Sequence, residues 1–413
     1  MSREIVVMGA GMVGVSVAWH LARRGHSVTL VDRREPGRET SFGNAGIIQR
    51  EAVRPYPFPR DLATLLRVLP NRQVDIRYRP GGMLQAAGPL LRYWHNSSKE
   101  RYQKIVPEYA SLIGLSLEAH APMMQAAGAE QLVRKEGWLE VYHTAAELEA
   151  RAAAARDDEQ RFGVRHRVLD AAELAAFEPG LGKGLAGAIH WQDPWTVADP
   201  GELVKAYAKS FEAEGGRVQQ AEVSGIARQG SGWRISTSEG ELDAEQLVMA
   251  MGPWSREWLS DLGLEIPLFV KRGYHMHYAN AGSEPLRHWV MDAEVGYVLA
   301  PMQAGIRLTT GAELERLDAP PHLAQLEAAE QAARRLLPLG ERLEAEPWKG
   351  ARPCTSDMKP VIGPAPGQPG LWLALGHGHQ GFTLGPATGH LLGQLMDGET
   401  PDIDMAPFRA DRF

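Results

Sequence analysis

Cysteine is almost absent from the sequence, which has one, Cys354, among its 413 residues. A single cysteine excludes an internal disulfide framework, and it excludes a metal site built from several cysteines. Such sparing use of cysteine is typical of proteins that work in a reducing compartment. We therefore expect a cytoplasmic protein, and the sequence leaves open a peripheral contact with the inner membrane.

Long apolar runs and an excess of positive charge are also missing. No run reaches the roughly 18 apolar residues that would predict a membrane span. Glycines interrupt the apolar stretch 5–18, so we interpret it as mature structure and not as a signal peptide. Lys and Arg total 44 against 51 Asp and Glu, a formal net charge of −7. Because no basic excess is present, nucleic acid is disfavoured as a partner.

Glycine and proline, in contrast, are abundant, with 44 and 28 residues. That is too many for a helical bundle and is typical of a loop-rich α/β protein. Asp199 as N-cap and Pro200 in the first turn predict a helix that starts at 200. We further predict helical structure over 100–126, and a first strand over 218–227 in a group of three short ones.

A strand, a glycine-rich turn and a helix follow one another near the N-terminus. The β-branched run 5–8 is typical of a buried parallel strand, and Gly9, Gly11 and Gly14 stand in GxGxxG spacing directly after it. These glycines permit a tight turn, a close approach of backbone to a pyrophosphate, and close packing of helix on strand. Asp32 ends the next predicted strand and would bind the adenosine ribose hydroxyls. This acid disfavours NADP but does not separate FAD from NAD.

A second glycine-rich turn lies near the C-terminus. The predicted strand 371–375 leads into the turn 376–383, and a helix of small residues follows at about 384–396. This repeats the arrangement at the N-terminus. We expect both ends of the chain to form one discontinuous cofactor domain around an inserted substrate domain, with one ligand lying across both turns.

Taken together, these motifs resemble those of the D-amino-acid oxidase-type FAD-dependent oxidoreductases and, within them, the bacterial D-amino acid dehydrogenases. The resemblance runs along most of the chain. Besides the N-terminal glycine motif with Asp32, it rests on TSFGNAG at 40–46, MGPWS at 251–255, GARPCTSDMKPVIG at 350–363 and GHGHQGFTLGPATG at 376–389. Many Rossmann proteins share the first motif, but the combination is specific.

The resemblance implies an α/β fold with a Rossmann-like FAD-binding domain and an inserted α+β substrate domain on a mainly antiparallel sheet. We place the FAD-binding domain at 1–75, 150–265 and 345–413, and the substrate-binding domain at 76–149 and 266–344. The expected cofactor is non-covalent FAD, because Cys354 does not match the position at which some relatives attach the flavin. The residues expected to bind FAD are Gly9, Gly11, Met12, Val13, Gly14, Asp32, Arg33, Thr40, Ser41, Asn44, Ala45, Gly46, Gly252, Trp254, Gly376, His377, Gly378, Gly381, Phe382 and Thr383.

The resemblance also implies a reaction and the residues that carry it. Hydride passes from the substrate Cα to flavin N5, and the imine product hydrolyses to a 2-oxo acid and ammonia. Arg352 matches the family's carboxylate-binding arginine, whose guanidinium can hold the carboxylate bidentately and aim the Cα–H at the flavin. Tyr297 resembles a tyrosine that adds a hydroxyl to the same carboxylate. His377 and His379 depart from the better-known members, which often have other residues in this turn, and we expect His379 to be the third catalytic residue.

Other functions stay open on the sequence. One is a dehydrogenase or oxidase of a secondary amino acid such as D-proline, D-hydroxyproline or sarcosine, and another is a non-catalytic dinucleotide-binding module. The expected partners are an amino acid substrate and a quinone or other respiratory-chain component as electron acceptor. A homo-oligomer, or a place as one subunit of a larger dehydrogenase, also stays open. His275 and His277 share a strand face, but no third ligand is evident, so we predict no metal site.

Overall fold

Short strands make up much of the chain, and the computed structural model describes residues 2–413. In chain order the strands are β1 (Glu4–Met8), β2 (Ser27–Asp32), β3 (Ile47–Ile48), β4 (Ile76–Tyr78), β5 (Val133–Arg134), β6 (Trp138–Tyr142), β7 (His166–Asp170), β8 (Gly187–Trp191), β9 (Trp195–Val197), β10 (Arg217–Gln220), β11 (Val223–Gln229), β12 (Gly232–Thr237), β13 (Gly240–Ala244), β14 (Gln246–Met249), β15 (Phe269–Asn280), β16 (Val290–Asp292), β17 (Tyr297–Met302), β18 (Gly305–Thr309), β19 (Ala312–Leu314), β20 (Leu339–Arg342), β21 (Trp348–Cys354), β22 (Val361–Pro364) and β23 (Leu371–Leu375).

Helices separate these strands. They are α1 (Met12–Arg23), α2 (Leu62–Val68), α3 (Pro80–Gln85), α4 (Ala87–Asn96), α5 (Lys99–Gly114), α6 (Ser116–Ala126), α7 (Ala145–Phe162), α8 (Ala171–Phe177), α9 (Pro200–Ala213), α10 (Ser255–Asp261), α11 (Ala324–Leu336) and α12 (Gly381–Met396). As predicted, Asp199 caps α9, and its carboxylate accepts the backbone N–H of Glu202.

A six-stranded sheet joins the two ends of the chain. Its strand order is β10-β2-β1-β14-β23-β22, and β22 is the only antiparallel member. Helices α1, α9 and α12 cover one face, and the small sheet β11-β12-β13 packs on the other. Burial on both faces explains why β1 is apolar at nearly every position. The Rossmann-like, discontinuous α/β organisation is therefore confirmed.

Helices α1 and α12 pack closely along a stripe of glycines. A Cβ added at Gly385 would lie 2.7 Å from the Met12 side chain, and one at Gly389 would lie 2.5 Å from the carbonyl oxygen of Ser16. These glycines are four residues apart and so share one face of α12. The contact brings the N-terminus of α12 close to that of α1.

An eleven-stranded sheet forms the other large layer. The order is β4-β19-β15-β18-β17-β16-β6-β8-β7, with β20 and β21 also paired to β15. Two pairs, β19 with β4 and β16 with β6, are parallel, and the others are antiparallel. One face packs on α11 in a core of its own. The prediction of a mainly antiparallel sheet is confirmed.

Two predicted elements are divided in the structure. The predicted strand 218–227 is two strands, because the chain leaves the parallel sheet after β10 and enters the small sheet as β11. The predicted helical stretch 100–126 is α5 and α6, which meet at Leu115. Apolar spacing does not reveal either break, because the secondary-structure type is the same on both sides of it.

Sheet membership departs from the predicted domain boundaries. Strands β7, β8 and β21 fall in segments assigned to the FAD-binding domain, yet all three pair in the eleven-stranded sheet. The chain therefore passes from one large sheet to the other at positions that differ from the predicted boundaries at 150 and 345. None of the helices in residues 2–413 has the length and apolar character that crossing a membrane requires.

Candidate active site

A cavity of about 1050 Å³ runs from the first glycine turn to the eleven-stranded sheet. Most of the residues predicted to bind the cofactor line it. The exceptions are Gly14, Gly46 and Thr383, which lie behind the wall. Their contacts are with the protein itself: Gly46 packs on the Val197 carbonyl, and the Thr383 hydroxyl accepts the backbone N–H of Gln49.

The N-terminal glycine turn has the geometry that a phosphate cradle requires. Gly9 has φ +103°, and its N–H donates to the carbonyl of Val31 at 2.8 Å. A Cβ at Gly9 would lie 2.5 Å from the carbonyl oxygen of Ala250, so only glycine fits. Helix α1 starts directly after Gly11 and points its N-terminal N–H groups at the cavity.

Asp32 closes this turn at the end of β2. Its carboxylate accepts the backbone N–H of Ala10 at 2.7 Å and that of Arg34 at 3.0 Å. Burial raises the pKa of Asp32, and the two N–H donors oppose the rise. Arg33 stacks on Trp254 at 4.6 Å beside it, so the adenosine end of the cavity has an acidic group and an aromatic wall.

The loop 40–46 lies between the two sheets. The hydroxyl of Ser41 accepts the first helical N–H, that of Met12, at 3.0 Å, and the hydroxyl of Thr40 donates to the Ala351 carbonyl at 3.1 Å. Within the loop, the side-chain oxygen of Asn44 accepts the N–H of Gly46. These bonds hold the loop against both α1 and β21, so it forms the middle of the cavity wall.

The C-terminal turn faces the same cavity from the other side. Gly376 and Gly378 both have positive φ, +76° and +57°, and α12 starts at Gly381. His377 lines the cavity but is tied into the turn: its Nε2 bonds the Thr388 hydroxyl at 2.9 Å. The free N–H groups at the start of α12 can stabilise negative charge on a ligand.

Arg352 reaches the cavity from β21. Nη1 donates to the carbonyls of Arg272 and Gly311 at 3.2 and 3.1 Å, and Nη2 donates to that of Thr310 at 3.4 Å. Nε and the second Nη2 proton have no acceptor among the described residues, and they lie on one edge of the guanidinium. No carboxylate pairs with Arg352 in residues 2–413, and burial lowers its pKa without discharging it. The backbone thus holds a fork that is free to take an anion.

His379 and Tyr56 meet over this arginine. Their ring centroids are 5.3 Å apart, and both rings line the cavity. Nδ1 of His379 is buried and has no hydrogen-bond partner among the described residues. Burial lowers the pKa of His379 well below its usual range, and the charges of Arg352 and Lys271 lower it further. The imidazole is therefore neutral near pH 7.

Tyr297 points away from the face of the sheet that carries Arg352. Val298, its neighbour, pairs with Thr309, which pairs with His275, and this register puts Val298 on the Arg352 face. Tyr297 points to the opposite face, into the core under α11, and is 1% exposed. Because side chains alternate along a strand, a shift of one residue changes the face completely. The structure thus places the Tyr297 side chain in the core, although Tyr297 also borders the cavity, and a role beside Arg352 at a carboxylate stays a prediction.

Among the cavity residues that were not predicted are Tyr56, Tyr93 and Lys271. Lys271 carried only a weak signal, because Arg272, His275 and His277 are also charged or polar residues of the same strand. His275 and His277 do share a face, and His275 stacks on Trp348 while His277 bonds Arg307 and Glu344. No group of three or more metal-ligating side chains occurs among the residues that the structure describes.

Known proteins agree with this fold. The family model for FAD dependent oxidoreductases, DAO, matches residues 4–395. D-amino acid dehydrogenases of Paramagnetospirillum magneticum and Chromohalobacter salexigens are 33% and 30% identical, each with 99% of both chains covered. Glycine oxidase from Geobacillus kaustophilus superimposes with a TM-score of 0.75 at 22% identity, covering 100% of this chain and 99% of that one. L-proline dehydrogenase from P. horikoshii gives 0.73 at 19% identity, covering 100% and 98%. With its two glycine turns facing one cavity, the chain belongs to the DAO family of FAD-dependent oxidoreductases, and its cofactor is FAD.

Proposed function

We propose that the protein is a D-amino acid dehydrogenase. When bound, FAD accepts a hydride from the substrate Cα. The amine loses a proton at the same time, and water then converts the resulting imine to a 2-oxo acid and ammonia. The observation that carries the proposal is the backbone-held fork of Arg352, which faces the cavity without a carboxylate partner.

The residues around Arg352 position such a substrate. The guanidinium binds the substrate carboxylate, and the buried ring of Tyr93 excludes water from this part of the cavity. Nδ1 of His379 accepts a hydrogen bond from the substrate amine, because the neutral imidazole has a lone pair to offer. Gly9, Gly11 and the start of α12 hold the cofactor, and the glycine turns keep the cavity open for it.

The D configuration and the dehydrogenase activity rest on relatives that are 30% or more identical, among them the two D-amino acid dehydrogenases named above. The test is anaerobic mixing of the purified holoprotein with paired D- and L-amino acids while the flavin absorbance is followed. We expect bleaching by D-amino acids and little by their L partners. The matching amines without a carboxylate should bleach slowly, because they cannot use Arg352. Equal bleaching by both enantiomers would contradict the D assignment.

A quinone acceptor and peripheral membrane contact form a second part of the proposal. Helices α2, α3 and α4 expose a patch of large apolar side chains: Leu62, Leu65, Leu66, Leu69, Leu84, Leu91 and Trp94. Arg60 stacks on Trp94 at 3.8 Å, and Arg67 lies in the last turn of α2. Exposed apolar side chains with basic neighbours suit the surface of an anionic membrane. The same helices wall the cavity, so a lipid-borne quinone would have a short path to the flavin.

This second part has its own test. We expect the protein to sediment with anionic vesicles and a Leu62→Glu, Leu66→Glu variant, whose changed residues do not line the cavity, to stay in solution. Reduction by the best D-amino acid should be unchanged in both proteins. A quinone should also reoxidise the enzyme faster than oxygen does. Comparable peroxide production in air, or equal sedimentation of both proteins, would contradict it.

A further inference from the structure

Lys271 is a buried cation without an anionic partner. It lies on β15, directly opposite Arg352 on β21, and the pair points to the same face of the sheet. Lys271 is 7% exposed and lines the cavity beside Tyr93 and His379. Opposite residues on neighbouring strands have Cβ atoms about 5 Å apart, so the ammonium and the guanidinium reach the same part of the cavity.

The surroundings of Lys271 contain no negative charge. Its ammonium lies 4.9 Å from the ring of Tyr93 and 5.7 Å from that of Phe269. The charged and titratable groups that act on it are Arg352, which opposes its charge, and the Cys354 thiol. No ion pair or hydrogen bond of the ammonium occurs among the described residues. Burial and Arg352 lower the pKa of Lys271, so keeping it charged here is costly.

Two adjacent cations in one cavity need more negative charge than one carboxylate brings. Arg352 alone suffices for the α-carboxylate of any amino acid, since its fork takes one carboxylate bidentately. A second carboxylate would pair with Lys271, repay the desolvation of both groups and return the lysine to its charged form. The aromatic rings beside the ammonium offer apolar surface for the carbons that link the two carboxylates.

We propose that Lys271 binds a side-chain carboxylate of the substrate, so that the enzyme prefers acidic amino acids. The inference rests on the proposed function, because Arg352 must hold the α-carboxylate. Aspartate and glutamate have two or three carbons between their carboxylates. A substrate of this length can reach two side chains on neighbouring strands at the same time. The lysine is a specificity-determining residue, and it takes no part in hydride transfer.

The experiment compares Lys271→Met with two other variants. Lys271→Arg keeps the charge, and Lys349→Met is a matched control on β21, whose side chain faces the other side of the sheet and donates to the Ala319 carbonyl. Anaerobic flavin reduction is measured with D-glutamate, D-aspartate, D-glutamine and D-norvaline. We expect kcat/KM of Lys271→Met for the acidic substrates to fall about 30-fold or more, the typical cost of removing one member of a buried charge pair. D-glutamine and D-norvaline should change less than about threefold.

A second readout does not need turnover. Glutarate has two carboxylates and no amine, so its binding to the oxidised holoenzyme is followed by the change in flavin absorbance, with butyrate as the comparison. We expect wild-type protein and Lys349→Met to bind glutarate more tightly than butyrate, and Lys271→Met to lose that preference. If the preference is present but no amino acid reduces the flavin, the proposed function fails and the role of Lys271 stands.

Two results would overturn the inference. One is a wild-type enzyme that reduces with D-glutamine or D-norvaline more efficiently than with either acidic substrate. The other is a Lys271→Met variant that loses activity equally with all four substrates, which would make the lysine a proton acceptor for the amine. If Lys271→Met does not fold, Lys271→Gln replaces it under the same criteria.

Discussion

A Cβ atom added at Gly14 would lie 1.7 Å from the carbonyl oxygen of Gly9. The atom in the way belongs to the backbone, so no side-chain rotation can relieve the contact. Helix α1 can therefore approach the glycine turn only without a side chain at this position. The N–H groups at the start of α1, which face the cavity, depend on that approach.

We expect Gly14→Ala to destabilise the protein by about 1–3 kcal/mol or more, the usual cost of overpacking, and to lower its FAD content. Gly88→Ala in α4 is the control, because no atom lies within 4 Å of the added methyl group. Gly88 is the second residue of α4, so the change is expected to stabilise by less than the roughly 1 kcal/mol of a helix interior. Thermal unfolding midpoints and the ratio of flavin to protein measure both effects. Equal values for the two variants would show that the close packing has no role.

Asp32→Asn should weaken FAD binding. One carboxylate oxygen becomes an NH₂ group. This group faces the N–H of Ala10 or Arg34 and cannot accept a hydrogen bond from it. Hydrogen bonds to charged groups contribute about 1.5–3 kcal/mol, so we expect the Kd for FAD to rise roughly 10- to 100-fold. Flavin fluorescence after dilution reports the released cofactor. Asp61→Asn, which keeps a good N-cap on exposed α2, should leave the Kd unchanged.

Arg352→Lys should impair the enzyme although it conserves the charge. Lysine cannot form the fork, and its ammonium cannot keep the three backbone contacts of the guanidinium at once. For Arg352→Met we expect a loss of about 2–5 kcal/mol, or roughly 30- to several-thousand-fold in kcat/KM, with flavin content near wild type. The surface change Arg234→Met is the control, since its ion pairs are exposed. Wild-type reduction by Arg352→Met would disprove the carboxylate role.

Glu51 should make the stability depend on pH between about 4.5 and 7. Burial raises the pKa of Glu51 to about 7, and its Oε2 has no partner among the described residues. Because the folded pKa lies above the unfolded one, the folded state binds more protons in this window and loses stability as pH rises, by at most about 1.4 kcal/mol per unit. Glu51→Gln removes the titration. With FAD in excess, its urea midpoint should fall less between pH 5 and pH 8 than that of wild type or of exposed Glu130→Gln. Parallel curves would contradict this.

Local patterns were sufficient for the cofactor half of the site. Gly9, Gly11 and Gly14 follow a strand and open a helix. The positive φ of Gly9 and the close contact at Gly14 exclude other residues from those two positions. The second turn at 376–383 repeats the pattern. Such features depend on neighbours within a few residues along the chain, and the sequence contains all of them.

Side-chain direction was not predictable in the same way. Tyr297 and Val298 are adjacent in sequence, and only the pairing of β17 with β18 decides which of them faces the cavity. Tyr56 and His379 are far apart in the chain, and their contact depends on how the proline-rich segment after β3 lies across the second glycine turn. No periodic pattern in the sequence indicates either relationship.

The sequence by itself determined the α/β class, the two glycine turns and the family resemblance, because each follows from short-range backbone geometry and residue type. Only the tertiary structure decided that Arg352 and Lys271 stand side by side, that Tyr297 is turned away, and that β7, β8 and β21 belong to the large sheet. The physical reason is strand register, because side chains alternate between the two faces of a sheet with a period of two. If a long-range pairing shifts by one residue, the side chains that faced the cavity face the core instead.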